Sequence, residues 1–320
     1  MILTITLNPL LEIRLDYQGD IGKEVHRGGT LSYSAGGKGV NVSRQLKALG
    51  IDSLIFTTAS GLNGKRFLEN LEKDGLKSVV FKTLSETRIS VLIGNESEQK
   101  NYFSLNQTLS GAEREEILSK LLKIIPTVDT IVISGSTPDE GSADIIAEIL
   151  KQATTANKLT LLDYYGPGLG RLLDYSPVIV HNNFEEIRSS LGHSLDSEDA
   201  ILQTITEIHG KGVRQVYLTN GADRFYASNN GYIYLVEPPA VKTVSTIGCG
   251  DAFVSGIIYS MIQYKKFEEG LEIATAFGAL EATKKEVCRN TLSEIEPFIT
   301  SVKVSPVGKK MNELNVPRAN

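Results

Sequence analysis

From residue 111 onward, helix-patterned stretches take turns with short, continuous apolar runs, and this rhythm limits the fold more than any other feature of the chain. Helices are predicted at Ala112 to Lys123, Ser142 to Thr154, Asn183 to Leu191, Ser197 to His209, Asp251 to Tyr264 and Glu268 to Lys285. Between them fall strands at Thr130 to Ser134, Thr160 to Asp163, Val178 to Val180 and Gln215 to Thr219, then a hairpin from Phe225 to Val236. Strands that are apolar on both faces need a cover on each side, and long crossovers supply helices to do it. The reading is an α/β chain: a three-layer, mostly parallel sheet with helices on both faces. Ile2 to Leu7, ended by Asn8-Pro9, reads as one more buried strand. Ligands of such sheets gather where strands end, so Gly135, Asp163, Asn183 and Thr219 are expected to converge.

Two other runs are patterned differently. Ile13 and Leu15 alternate with Glu12, Arg14 and Asp16, and Ile89, Val91 and Ile93 share one side of a second run that is followed by Asn101 to Leu105. Half-polar strands predict a small β-sheet lid with one face off the main core. It is built from about residues 12–34 and 87–106, inserted in a domain over 1–300. The remainder, 301–320, has two prolines and no periodicity, and reads as a loosely held tail.

A net charge of -5 without a long basic run argues against a nucleic-acid face, and the apolar runs fall short of a membrane span. No export signal is visible, and Cys249 and Cys288 stand far apart, so a reducing cytoplasm fits better than a disulfide framework. His26, His181, His193 and His209 have no metal-ligand spacing and read as surface or polar fillers. No Gly-x-Ser-x-Gly elbow is present, and Gly166-Pro167-Gly168-Leu169-Gly170 has the wrong spacing for a dinucleotide loop.

The stretch Thr246-Ile247-Gly248-Cys249-Gly250-Asp251-Ala252-Phe253 carries the most chemistry. Its glycines admit a close anion, and the helix that follows aims free N–H groups at it. A carboxylate in that first turn has a natural task there, taking the proton from a hydroxyl that attacks a phosphate. A glycine-rich turn with an ordinary acidic first-turn residue accounts for the octapeptide equally well. Ala35 to Asn41 offers glycines for close approach, with Gly37, Lys38 and Asn41 as polar contacts, but it lacks the Walker spacing. Gly61 to Arg66 lacks it as well and reads as a loop before a helix. Asn183 and Glu186, three apart at a helix start, suit either a hydrated magnesium ion or a plain helix cap. Asn220 to Asp223 between strands reads first as a turn.

In order along the chain, Thr6-Leu7-Asn8-Pro9, Ala35 to Asn41, Ser134-Gly135-Ser136, Asn183 with Glu186, Thr219 to Asp223 and Thr246 to Asp251 resemble the ribokinase-like (PfkB) family of sugar kinases. The likeness runs from about Ile2 to Phe298 and is strongest to the 1-phosphofructokinase and tagatose-6-phosphate kinase branch. It implies a large α/β domain with a β lid, ATP and Mg²⁺, a sugar phosphate as acceptor, and a homodimer through the lid. It further implies Asp251 as base and Gly248, Cys249 and Gly250 as anion hole. Asn183 and Glu186 would serve magnesium and phosphates, with Thr219 and Gly221 on the nucleotide side. Glu12, Arg27, Gly37, Lys38, Asn41 and Arg88 would face the acceptor, Lys38, Arg27 and Arg88 holding its phosphate. Fructose 1-phosphate is the first acceptor so implied and tagatose 6-phosphate the second. A free sugar or nucleoside, or a weakened sensor, are the alternatives.

Several residues depart from the branch. Glu12 stands for its usual Asp, Asp163-Tyr164-Tyr165-Gly166 for Asp-Thr-Ser-Gly, and His181-Asn182 for Lys-Pro. Cys249 replaces the commoner Ala. At a helix N-terminus its thiol is open to acidification, or is an inert small side chain.

Overall fold

A computed structural model describes residues 1–19, 25–95 and 98–307. The first strand, β1 (Ile2–Thr6), is buried along its whole length and sits inside the main sheet. The chain then leaves for the lid in β2 (Leu10–Asp16) and β3 (Thr30–Gly36) and returns through α1 (Lys38–Ala48). Next come β4 (Ser53–Thr58), α2 (Gly61–Lys73) and β5 (Lys77–Phe81), then the second lid pair, β6 (Arg88–Gly94) and β7 (Gln99–Phe103). The expected alternation follows: α3 (Gly111–Ile124), β8 (Thr130–Gly135), α4 (Ala143–Thr155), β9 (Leu159–Tyr164), the short α5 (Leu169–Leu173), β10 (Ile179–Asn183), α6 (Phe184–Leu191), α7 (Glu198–Gly210) and β11 (Gln215–Thr219). The hairpin β12 (Phe225–Asn229) and β13 (Tyr232–Glu237) precedes α8 (Cys249–Ile262), α9 (Phe267–Glu281), α10 (Leu292–Ile299) and β14 (Lys303–Val307).

Among the described residues the main sheet has ten strands in the order β14-β13-β12-β11-β10-β9-β8-β1-β4-β5, parallel from β11 to β5 and antiparallel at the β14 end. Strand alternation splits the buried side chains into two cores. Leu3, Ile5, Ile131, Ile133, Leu162, Val180 and Leu218 pack under α3, α4, α6 and α7, whereas Ile2, Val132, Leu161, Ile179 and Tyr217 pack under α1, α8 and α9. This two-sided demand is what the continuous apolar runs encode.

The lid is a four-stranded sheet in the order β3-β2-β6-β7. Its register places Glu12 opposite Ser34 and Ser90, and Leu10 opposite Arg88.

Three expectations are corrected. The start of the tail is ordered: β14 pairs with β13 along five residues, so Val304 and its neighbours close the sheet edge, and only 308–320 lie outside the described residues. Gly61 to Arg66 are the first turns of α2 rather than a loop, because Glu86 accepts from the Asn63 N–H at 3.1 Å and satisfies an open donor of that turn. The last long helix ends at Glu281, short of Lys285.

Candidate active site

Helix α8 begins at Gly248, whose φ of 84° is left-handed. A Cβ at this position would lie 2.6 Å from Val287 Cγ1 and 2.9 Å from Glu281 Oε1, so both the turn and the close packing require glycine. Cys249, Gly250 and Asp251 then form the first turn and line a cleft of about 690 Å³ at the carboxyl ends of the parallel strands. Their N–H groups have no helical carbonyl behind them and present positive charge to the cleft.

Asp251 is buried, and its Oδ2 accepts from Asn41 Nδ2 at 2.7 Å. Burial raises its pKa to about 7, with Asp163 and Glu186 adding to the rise and Lys38 and Asn41 opposing it. Such a carboxyl can exchange a proton at neutral pH. Asn41 is held in turn. Arg44 Nη1, one turn on in α1, donates to Asn41 Oδ1 at 2.6 Å, and its Nε pairs with Asp74 Oδ2 at 2.8 Å.

Lys38, the first residue of α1, reaches across the cleft. Its Nζ lies 2.5 Å from Glu186 Oε1 and 3.3 Å from Asp163 Oδ1, with the Tyr165 ring 5.0 Å away. Burial works against the ammonium, but Asp163, Glu186 and Asp251 overcome it and hold the Lys38 pKa above its ordinary value. The residue therefore sits among carboxylates in the cleft beside Asp251, not on the lid side with Arg88. Asp163 is fully buried and also accepts from Ser134 Oγ at 2.5 Å. Burial pushes its pKa up, but Lys38 and His181 outweigh it and keep the carboxyl below the usual range.

His181 is no filler. Its Nδ1 lies 2.9 Å from Asp163 Oδ1, its Nε2 3.3 Å from Thr219 Oγ1, and its ring packs on Phe253. His209 does fit that description, wedged between the Val213 carbonyl and Ser228. Asn183 caps α6 in a reciprocal box: its side chain accepts from Glu186 N–H at 2.8 Å, and Glu186 Oε2 accepts from Asn183 N–H at 3.0 Å. The cap thus aims Glu186 Oε1 at the cleft. Thr219 pairs with Asn183 in register, and Gly221 lines the same wall. Gly135, Asp163, Asn183 and Thr219 do converge, since a Cβ on Gly135 would lie 3.8 Å from Lys38 Cβ.

The lid residues lie outside that cleft's lining. Arg88 donates to the Asn8 carbonyl and to Asn106 Oδ1, each at 3.0 Å, and its Nε has no partner among the described residues. Ser34 Oγ donates to Glu12 Oε1 at 3.3 Å. Gly37, at φ 124°, lets the chain turn from β3 into α1 against Thr6 and Pro9. Arg27 is exposed on the approach to β3 and does not line the cleft.

The acidified-thiol option for Cys249 fails. Burial pushes its pKa up to about 12, and Glu281 and Asp251 add to the effect, so the inert reading holds. Among the described residues no group of three or more His, Cys, Asp or Glu is arranged to hold a metal ion by itself, and no helix is long and apolar enough to cross a membrane. Sequence reasoning gave no role to Asp163 or Arg44. The signal for Asp163 was its place at the end of a core strand; Arg44 offered none beyond its spacing from Asn41.

Residues 10–294 match the model of the pfkB family of carbohydrate kinases. The chain belongs to that family. It is thus a carbohydrate kinase, a phosphotransferase with a sugar hydroxyl as acceptor. A tagatose-6-phosphate kinase of Staphylococcus epidermidis is 30% identical over 310 residues, which covers 96% of this chain and all of the relative. Two solved structures share the fold at lower identity. A possible 1-phosphofructokinase from Thermotoga maritima superposes with a TM-score of 0.86 at 22% identity, covering 96% of this chain and 99% of its own. Phosphofructokinase-2 from Escherichia coli gives 0.84 at 21%, covering 93% and 98%.

Proposed function

We propose that this kinase moves the γ-phosphate of MgATP to a hydroxyl of a ketohexose phosphate, fructose 1-phosphate first and tagatose 6-phosphate second. The observation that carries the reading is Asp251: a buried carboxyl with a pKa of about 7, in the first turn of helix α8 after a glycine-rich turn, steered by Asn41. In the ionised form it takes the proton of the acceptor hydroxyl as that oxygen attacks the γ-phosphorus. ADP leaves, and the N–H groups of Gly248 to Gly250 meet the charge spread over the moving phosphoryl. Thr219 and Gly221 lie on the nucleotide side.

Magnesium arrives with the nucleotide. The Lys38 ammonium, 2.5 Å from Glu186 and 3.3 Å from Asp163, already marks a place where oxygen donors surround a cation. Glu186, aimed by its cap with Asn183, is a fitting ligand for a hydrated divalent ion. The ion would neutralise phosphate charge in that place.

A phosphorylated acceptor is supported by Arg88, whose guanidinium is held over the Asn8 carbonyl with an unused Nε, and by the tagatose-6-phosphate kinase relative. Glu12, one methylene longer than aspartate, would carry its carboxylate about 1 Å further toward the acceptor hydroxyls, enough to change selectivity. The outer lid face bears Leu31, Tyr33 and Tyr102, with Leu31 about half exposed, and a second copy of the chain is the cover proposed for it. A cytoplasmic setting is part of the same proposal, supported by two free thiols and by MgATP as the donor.

The test is ADP release at saturating MgATP across fructose 1-phosphate, tagatose 6-phosphate, free ketohexoses and nucleosides. Turnover confined to sugar phosphates supports the reading. Turnover with free sugars alone, or none at all, rejects it.

A further inference from the structure

The unpaired polar atoms of the lid fall on one face. Strand register puts Leu10, Glu12 and Arg14 of β2 on the same side as Arg88, Ser90 and Leu92 of β6 and Ser34 and Ser32 of β3. That side looks onto the body, because Arg88 donates to the Asn8 carbonyl after β1 and Arg14 Nη1 donates to the Lys285 carbonyl after α9 at 2.6 Å. Arg14 is only 9% exposed, yet among the described residues its Nε and Nη2 have no partner, and Ser90 Oγ, 1% exposed, has none either. A guanidinium buried with two unused donors is costly unless an anion completes it.

The position of Arg14 says which anion. Lys285, which it grips, lies two residues before Val287 and three before Cys288, and these two side chains pack against Gly248 at the anion hole. Arg88 stands at the other end of the face. Four residues of β2 separate their registers, a span of about 13 Å along the strand, with Glu12 and Ser90 between. The acceptor face therefore has a guanidinium at each end and hydroxyl-binding groups in the middle.

We propose that Arg14 is the lid residue that holds the phosphoryl group as it arrives on the acceptor, so that the lid recognises the bisphosphate product from both ends. The proposal rests on the sugar-phosphate reading above and adds a division of labour. Arg88 serves the phosphate the substrate brings, and Arg14 the one it receives. Because the second charge exists on the acceptor only during and after transfer, Arg14 contributes to turnover and to product affinity rather than to binding of the monophosphate.

The experiment uses the full chain as wild type, Arg14→Met, Arg14→Lys and Arg88→Met, with thermal melts as the control for folding. Steady-state kinetics are measured with MgATP and fructose 1-phosphate, and calorimetry with fructose 1-phosphate and fructose 1,6-bisphosphate separately. Arg14→Met is expected to lower kcat about tenfold or more, to leave KM for the monophosphate within about threefold, and to weaken the bisphosphate about tenfold. Arg14→Lys should recover part of the bisphosphate affinity, since a cation remains, and serves alone if the methionine variant does not fold. Arg88→Met should instead raise KM and weaken both ligands. Equal weakening of mono- and bisphosphate by Arg14→Met, or no change in kcat and bisphosphate affinity, overturns the proposal while the kinase reading stands. A wild type that neither turns over nor binds these sugars or tagatose 6-phosphate overturns the reading itself and this assignment with it.

Discussion

A carboxyl whose pKa is held near 7 weakens the native state at the pH where it works. Asp251 rises from an ordinary 3.8 to about 7, chiefly through burial, so between those values the folded chain keeps a proton that the unfolded chain has released. Its favourable contribution is complete below pH about 4 and is lost as pH climbs through 7. Asp251→Asn, which removes the charge and keeps the shape, is therefore expected to raise Tm by several degrees at pH 8 and to change it little near pH 4. Thermal melts at the two values check this, and a lowered Tm at pH 8 would show that the buried carboxylate is well compensated. Not every residue in this network is readable from sequence. Asp251, Asn183 and Glu186 sit in local motifs whose geometry follows from a helix start, whereas Lys38 meets Asp163 across 125 positions and His181 meets Asp163 from the neighbouring strand. Spacing along the chain carries no trace of either contact. For Cys249 the chain position left an acidic and an inert thiol both open, and burial with two nearby carboxyls favours the inert one.

The proposed chemistry rests on helix α8, whose start is fixed by packing. Gly248→Ala would set a Cβ against Val287 and Glu281 in a left-handed conformation, at a cost of roughly 1–3 kcal/mol before any repacking. The strain falls on the anion hole, so kcat is expected to drop by more than tenfold while Tm falls by a few degrees, measured by ADP release and melting. Wild-type kcat in that variant would mean that the N–H groups do not meet the phosphoryl. Helices and buried strands were legible because their apolar periodicities differ, and predicted and observed ranges agree closely from Ala112 to Val236. Elements defined by their partners were not. β14 is mostly exposed and carries a proline, and it becomes a strand because β13 offers an open edge. The first turns of α2 look like loop because of their glycines and are settled by Glu86 from another segment.

At the scale of the molecule, the parallel sheet brings its strand ends to one side, and the lid turns its polar face to the body there. The architecture was legible from the alternation alone; the make-up of the proposed acceptor face was not, since Glu12, Arg14 and Arg88 come together only through lid register. The outward lid face is expected to pair two copies. Sedimentation should show a dimer that Leu31→Glu converts to folded monomers, and a monomeric wild type would remove this interface. The account as a whole stands on one base in one cleft. Its most direct test is kcat/KM for the best sugar phosphate, followed by ADP release from pH 5.5 to 9, in wild type and Asp251→Asn. The wild-type profile should be flat above pH about 7 and fall towards tenfold per unit below it, with the variant lower by roughly 10²-fold or more and without that inflection. Equal rates for the two proteins, or an inflection that persists in Asp251→Asn, would contradict the assignment of Asp251 as the base.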